Sequence, residues 1–146
     1  MHIGVPLETH AGETRVAATP ETIKKLVSQG HQVTVQSGAG VSASIPDAAY
    51  AAAGATIGSD AAALGADLVL KVLAPTEAEL AHMKTGAVLV GMLNPFSNET
   101  IARMAQKLSD LIPEAKIAVA HGQMRPRELE KVMVDFLEGR AQMLVC

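Results

Sequence analysis

Short apolar runs alternate with amphipathic stretches from one end of the chain to the other. His2–Pro6 and Gln32–Gln36 carry the density of apolar and β-branched residues expected of strands. Asp67–Leu73 and Ala87–Leu93 are continuous apolar runs, the pattern of strands covered on both faces. Between the first two strands, Thr19-Pro20-Glu21 reads as an N-cap, a proline at the first helical position and an early acid. Ile23, Leu26 and Val27 form the buried stripe of that helix, and Gly30 ends it. Ile45-Pro46-Asp47 opens a small-residue helix through Ala53, closed by Gly54, and Pro75–Met83 predicts a short helix. A longer helix is expected over Ser97–Ile112, where Ile101, Met104, Ala105, Leu108, Leu111 and Ile112 keep helical spacing before Pro113. Lys116–Ala120 then reads as a strand. Arg127–Glu138 reads as a helix with the stripe Leu129, Val132, Met133, Phe136 and Leu137, and Ala141–Cys146 as a final strand. Strict alternation of this kind predicts one α/β domain over residues 1–146. Its expected form is an open, mainly parallel, doubly wound sheet of about six strands with helices on both faces, flavodoxin- or Rossmann-like.

Composition refines this picture at three points. With no Trp, one Tyr and two Phe, the core must be built from aliphatic side chains and Met. The net charge of −3 gives no electrostatic reason to expect a nucleic-acid or acidic-membrane partner. The apolar runs fall short of a membrane span, Cys146 has no second cysteine to pair with, and the first residues lack the pattern of a signal peptide. A cytoplasmic protein without a membrane partner is expected. The last apolar strand, Ala141–Cys146, is expected at the sheet edge, where it would favour a homodimer by edge pairing or by swapping of the C-terminal segment.

Candidate chemistry is sparse. Gly38-Ala39-Gly40-Val41-Ser42-Ala43 fits a dinucleotide-binding glycine pattern after a strand, with Asp60 near the offset of a ribose-binding acid. Ser44-Ile45-Pro46 interrupts the chain straight afterwards, so no helix N-terminus is expected to meet a pyrophosphate, and a plain strand-to-helix turn is the reading adopted. No G-x-x-x-x-G-K-[ST] loop is present. His2, His10, His31 and His82 lack metal-ligand spacing, His121 reads as a strand-end residue, and Cys146 shows no nucleophile signature. Arg125, Arg127 and Lys131 alternate with Glu128, Glu130 and Asp135, as on a solvated helix face. No catalytic residue, cofactor or metal is expected on these grounds.

Two family resemblances follow from motifs in order along the chain. Met1-His2-Ile3-Gly4-Val5-Pro6 with Glu8, Glu13–Pro20, Gln36–Gly40, Leu70-Lys71-Val72 and Val90–Pro95 resemble the N-terminal region of the proton-translocating NAD(P) transhydrogenase α subunit, a relative of alanine dehydrogenase. Leu111–Ile117, His121-Gly122-Gln123-Met124, Arg127–Glu130 and Leu144-Val145-Cys146 resemble the second RecA-like motor domain of the bacterial transcription-repair coupling factor. Together they imply a chimera of residues 1–106 and 108–146 joined inside helix 97–112. The parents' main nucleotide-binding segments lie outside both matched regions. The resemblance to alanine dehydrogenase implies that Arg15 and Lys71 match a pair that clamps a substrate carboxylate and carbonyl, an apt task for a guanidinium. That family's catalytic histidine would fall near Asn94-Pro95, where none stands. The expectation is therefore a recombined or artificial domain that is not an enzyme, with Arg15 and Lys71 as weak candidates for a residual anion site. The alternatives are a residual nucleotide- or anion-binding module, or a fragment of an NAD(P) transhydrogenase α subunit.

Overall fold

The computed structural model describes residues 1–91, 110, 117–119, 125–137 and 143–145. The elements are β1 (His2–Val5), α1 (Pro20–Ser28), β2 (Gln32–Gln36), a 3-10 turn (Val41–Ala43), α2 (Asp47–Ala52), β3 (Thr56–Gly58), α3 (Asp60–Leu64), β4 (Leu68–Lys71), α4 (Glu77–Leu80), β5 (Val88–Gly91), β6 (Ile117–Val119), α5 (Pro126–Leu137) and β7 (Met143–Val145). The described strands form one sheet in the order β3-β2-β1-β4-β5-β7-β6. Every pairing is parallel.

Alternation along β1 decides what each face receives. Ile3 and Val5 lie in register with Val33 and Val35 of β2, and all four pack with Ile23 of α1 and Tyr50 of α2 in one buried cluster. Tyr50 fills the gap left by an aliphatic-rich sequence, and its hydroxyl donates to the Ala18 carbonyl at 2.9 Å. Gly4 faces the opposite way. It shares register with Thr34 and Val69, and its missing side chain leaves room for Ala63 of α3. That helix lies across β1 and β2 and touches α4. Apolar helices on both faces account for the uninterrupted apolar strands, since a central parallel strand has no solvated side.

Local signals act as the sequence implies. The Thr19 hydroxyl caps α1 by accepting from Thr22 N with Pro20 inside the first turn, and Gly30 leaves the helix at φ +86°. The chain between α2 and β4 departs from expectation: β3 and α3 both form there. Ser59 caps α3 by accepting from Ala62 N at 3.2 Å. With β3 the described sheet has seven strands, one more than the pattern suggested.

The placement of the last strand needs correction. Ala141–Cys146 is expected at the edge, yet β7 is interior: Leu144 pairs with Val90 of β5 on one side and Ala118 of β6 on the other. The strand before it, β6, takes the edge and leaves the slot beside β5 for the final apolar run, which gains a ladder on both flanks. Apart from Asp110, the expected helix Ser97–Ile112 lies outside the described residues, as do His121 and Cys146. No helix among the described residues is long and apolar enough to cross a membrane.

Candidate functional site

Parallel sheets gather chemistry at the carboxyl ends of their strands. Here that edge holds an enclosed ionic cluster. Lys71 is the last residue of β4, and its Nζ, with no exposed side-chain surface, lies 2.9 Å from Glu79 Oε1 and 3.4 Å from Glu8 Oε2. Glu8 stands in the loop after β1. Its carboxylate accepts from Val72 N at 2.6 Å and from Leu73 N at 3.3 Å. Glu79 belongs to α4, where it forms a reciprocal capping box with Thr76: Thr76 N donates to Glu79 Oε2 at 2.7 Å, and Glu79 N donates to Thr76 Oγ1 at 3.3 Å. The Thr9 hydroxyl donates to Glu79 Oε1 at 3.5 Å.

Burial by itself raises the pKa of Glu79, but the Thr76 N–H and the Lys71 ammonium outweigh it and hold the carboxyl below the ordinary glutamate value. Among the described residues, no enclosed side-chain nitrogen or oxygen lacks a hydrogen-bond partner. Lys71 is therefore neither the solvated charge nor the open anion ligand that its place in the sequence suggests: two carboxylates already enclose its ammonium. A strand-end lysine looks free until the acids that fold over it are known.

Arg15 is different. It lies in the same β1–α1 loop with 57% of its side chain exposed, and Glu13 holds its guanidinium through a fork, Nε to Oε1 at 2.8 Å and Nη2 to Oε2 at 2.7 Å. The side-chain bonds from Arg15, joined by its backbone N–H, pull the Glu13 carboxyl down from 4.5 to about 2. Glu13 in turn raises the pKa of Arg15, with a smaller through-space contribution from Glu8. Arg15 thus keeps its place at the edge with a carboxylate already in its fork.

The glycine pattern at Gly38–Ala43 is occupied by the chain itself. Gly38 N donates to Asp47 Oδ1 at 2.9 Å, and the Ser37 hydroxyl donates to Asp47 Oδ2 at 2.7 Å. These bonds lower the pKa of Asp47. Gly40 is required for packing, because a side chain there would strike the Ile45 carbonyl and the Tyr50 ring. A 3-10 turn follows, and α2 does not begin until Asp47. No helix dipole faces these glycines, and a carboxylate stands at the Gly38 amide, so the turn does not fit a pyrophosphate. Asp60 is exposed at the start of α3, where its Oδ1 accepts from Ala61 N.

Elsewhere, Arg125, Arg127, Glu128, Glu130 and Lys131 are exposed, with Arg125 N donating to Glu128 Oε2 at 3.2 Å. His2 Nε2 contacts the Thr34 hydroxyl at 2.8 Å. No group of three or more His, Cys, Asp or Glu among the described residues could hold a metal ion. Sequence reasoning missed Glu8 and Glu79 as functional groups. The Thr76-x-x-Glu79 capping signature was available for the second; nothing local pointed to the first.

A parallel sheet wound on both faces, with ionised groups at its carboxyl edge, defines a Rossmann-like α/β domain. Residues 4–123 match the family described as alanine dehydrogenase/PNT, N-terminal domain, and the chain belongs to that family. It is 40% identical over 150 aligned positions to an NAD(P) transhydrogenase subunit alpha polypeptide of Rhodospirillum rubrum, covering 98% of this chain and 37% of the relative. It is 41% identical over 96 residues to alanine dehydrogenase of Mycobacterium tuberculosis, covering 64% of this chain and 26% of the relative. The crystal structure of transhydrogenase from Sinorhizobium meliloti superimposes with a TM-score of 0.65 at 40% identity, over 72% of this chain and 31% of that one. The chain thus spans well under half the length of each of these relatives.

These similarities correct one expectation and leave another without support. The expectation of a domain that is not an enzyme is overturned, because its relatives are oxidoreductases by name, a transhydrogenase subunit and an alanine dehydrogenase. The family match also continues past residue 107, and the Rhodospirillum rubrum alignment takes in nearly all of the segment assigned to a translocase motor.

Proposed function

We propose that this chain serves as the N-terminal domain of an NAD(P) transhydrogenase α subunit and forms one wall of a hydride-transfer site whose dinucleotide is held by another domain. The observation that carries this reading is the 40% identity to a transhydrogenase α polypeptide across 98% of the chain. The site agrees with it. The glycine turn is filled by Asp47, so the domain offers no pyrophosphate cradle there, while the carboxyl edge is held firm by an enclosed ionic cluster. Of the two residues weighed for an anion site, Lys71 is enclosed by two carboxylates, and Arg15, though more exposed, would have to exchange Glu13 for the incoming anion. A composite origin for residues 108–146 has only motif likeness behind it, and the length of the transhydrogenase alignment weighs against it.

The test is complementation. The 146-residue chain is mixed with the complementary remainder of a transhydrogenase α subunit and its partner subunits, and hydride transfer between NADH and an oxidised NADP analogue is followed. The chain alone should not turn over, and adding it should raise the rate above that of the remainder alone. An unchanged rate, with the chain shown to be folded, overturns the proposal.

A further inference from the structure

The open edge of a sheet is a row of backbone donors and acceptors to which another chain can add. With β7 inside the described sheet, one edge falls to β3, which pairs with β2 on one side only. Ser37 N, just beyond β2, donates to the Gly58 carbonyl at 2.9 Å, so Gly58 turns its peptide groups towards β2. Alternation turns those of Ile57 outward. No described residue bonds to the Ile57 N–H or carbonyl. The Ile57 side chain packs against the core cluster, which fixes the direction in which that outward pair points.

The surface around this edge is small and uncharged. No acidic, basic or histidine residue stands between Asp47 and Asp60, and Asp47 is engaged by the Ser37 hydroxyl and the Gly38 amide. Helix α2 packs on β3 and α1 and leaves Ala48, Ala51 and Ala52 exposed, three positions that share a helix face. Shortness is the guard that β3 carries against addition of a strand; the Lys or Pro that commonly protects an edge is missing from it.

These features fit a second copy of the chain better than a foreign strand. A foreign strand is selected by side-chain pockets or by charge, and the described residues of this flank supply no charge of their own. In a two-fold joint every charge near the axis would face its like. A net charge of −3 opposes self-association over a charged surface, and the β3 flank escapes that penalty. An antiparallel pairing centred on Ile57 lets this residue and its symmetry mate exchange both N–H···O=C bonds. Asp60 then stands opposite Gly54 of the second copy, away from its own counterpart.

We propose that the β3 edge is a self-association surface, on which two copies of this chain join antiparallel about Ile57. Tyr50 of α2 belongs to the same cluster as the Ile57 side chain, so the α2 helices of both copies lie on one face of the joint and meet through their exposed alanines. The joint is small, with three strand residues and one short helix from each copy. The dimer is therefore weak and dissociates on dilution.

The test follows the oligomeric state of the 146-residue protein. Sedimentation velocity at rising protein concentration should show monomer passing to dimer and to no larger species. Over the same range the Ile57 amide should gain hydrogen-exchange protection by about tenfold or more, while the Gly58 amide, which faces β2, stays unchanged. A protein that is monomeric at millimolar concentration, or a dimer whose Ile57 amide stays open, would overturn the proposal. Thr56 is exposed, and across the joint it and its counterpart are diagonal neighbours. Thr56→Lys and Thr56→Glu should each weaken the dimer by about tenfold or more through like charge. Mixed in equal amounts, the two variants should associate more tightly than either alone, a recovery that misfolding would not produce. Variants that dimerise as the parent does, or a mixture no better than its components, also overturn it. If these variants fail to fold, the concentration series of the parent protein decides.

Discussion

The Ala63 carbonyl of α3 sits directly over Gly4 of β1: a methyl group at Gly4 would overlap that oxygen and press on the Ala66 side chain as well. The helix approaches the sheet this closely because the strand presents no side chain at the crossing. Gly4→Ala should therefore destabilise the fold by about 2 kcal/mol or more, as overpacking against backbone does. Urea unfolding would measure it. Gly12→Ala is the useful contrast, for nothing lies near that position and only its φ of +82° opposes a side chain. Its cost should be about 1–2 kcal/mol.

Removing the Tyr50 hydroxyl isolates a single bond. Tyr50→Phe should lower stability by about 1–2 kcal/mol, because the Ala18 carbonyl loses its enclosed donor while the ring still fills the core. Burial raises the pKa of this phenol. Its contribution should be complete below the ordinary tyrosine value and lost as pH rises through the elevated one, so alkaline unfolding curves of the parent and the variant should converge.

Lys71→Met should reverse a pH dependence. Two enclosed carboxylates would then face each other without their cation, at a cost of about 3–5 kcal/mol near neutrality. Acidification should restore some of this, since a proton on either acid relieves the repulsion. The parent protein should instead lose stability as pH falls through the depressed value of Glu79. Parallel denaturant titrations across acidic pH would distinguish the two slopes.

Glu13 offers a direct reading of Arg15. With its carboxyl held at about 2 rather than 4.5, carboxyl 13C shifts should show Glu13 ionised well after ordinary glutamates have taken up protons. Its stabilising effect is present above the ordinary value and fades as pH falls towards 2. Arg15→Gln should return the midpoint towards 4.5. A midpoint unmoved by that substitution would show that the fork does not persist in solution.

The sequence displayed the architecture well and the site poorly, for related reasons. Strands such as Gln32–Gln36 and helices such as Pro20–Ser28 declare themselves through neighbours in the chain, so periodicity and capping residues suffice. The segment Thr56–Leu64 was harder: β3 is three residues long, and α3 is built from Asp60-Ala61-Ala62-Ala63-Leu64, too short and too uniform to show a stripe. Its clearest signal was Ser59 as a cap. The ionic cluster was hidden because Glu8 reaches Lys71 and the amides of Val72 and Leu73 across 64 positions or so of chain. Composition reveals charges but not which of them meet. The final strand was misplaced because apolar content signals burial without specifying the slot, and in a parallel sheet the last strand to arrive can take an inner one.

The place of β1 in the sheet bears on how the protein is made. It leaves the ribosome ahead of the other described strands, yet Ile3 has Val33 on one side and Leu68 on the other. During synthesis one flank of this apolar segment stays open until β4 emerges, so nascent chains halted before Leu68 expose an edge that invites association with other chains. Vulnerability to aggregation is thus concentrated in the interval of synthesis between β1 and β4, before Lys71 and Glu79 have emerged to complete the carboxyl-edge ions.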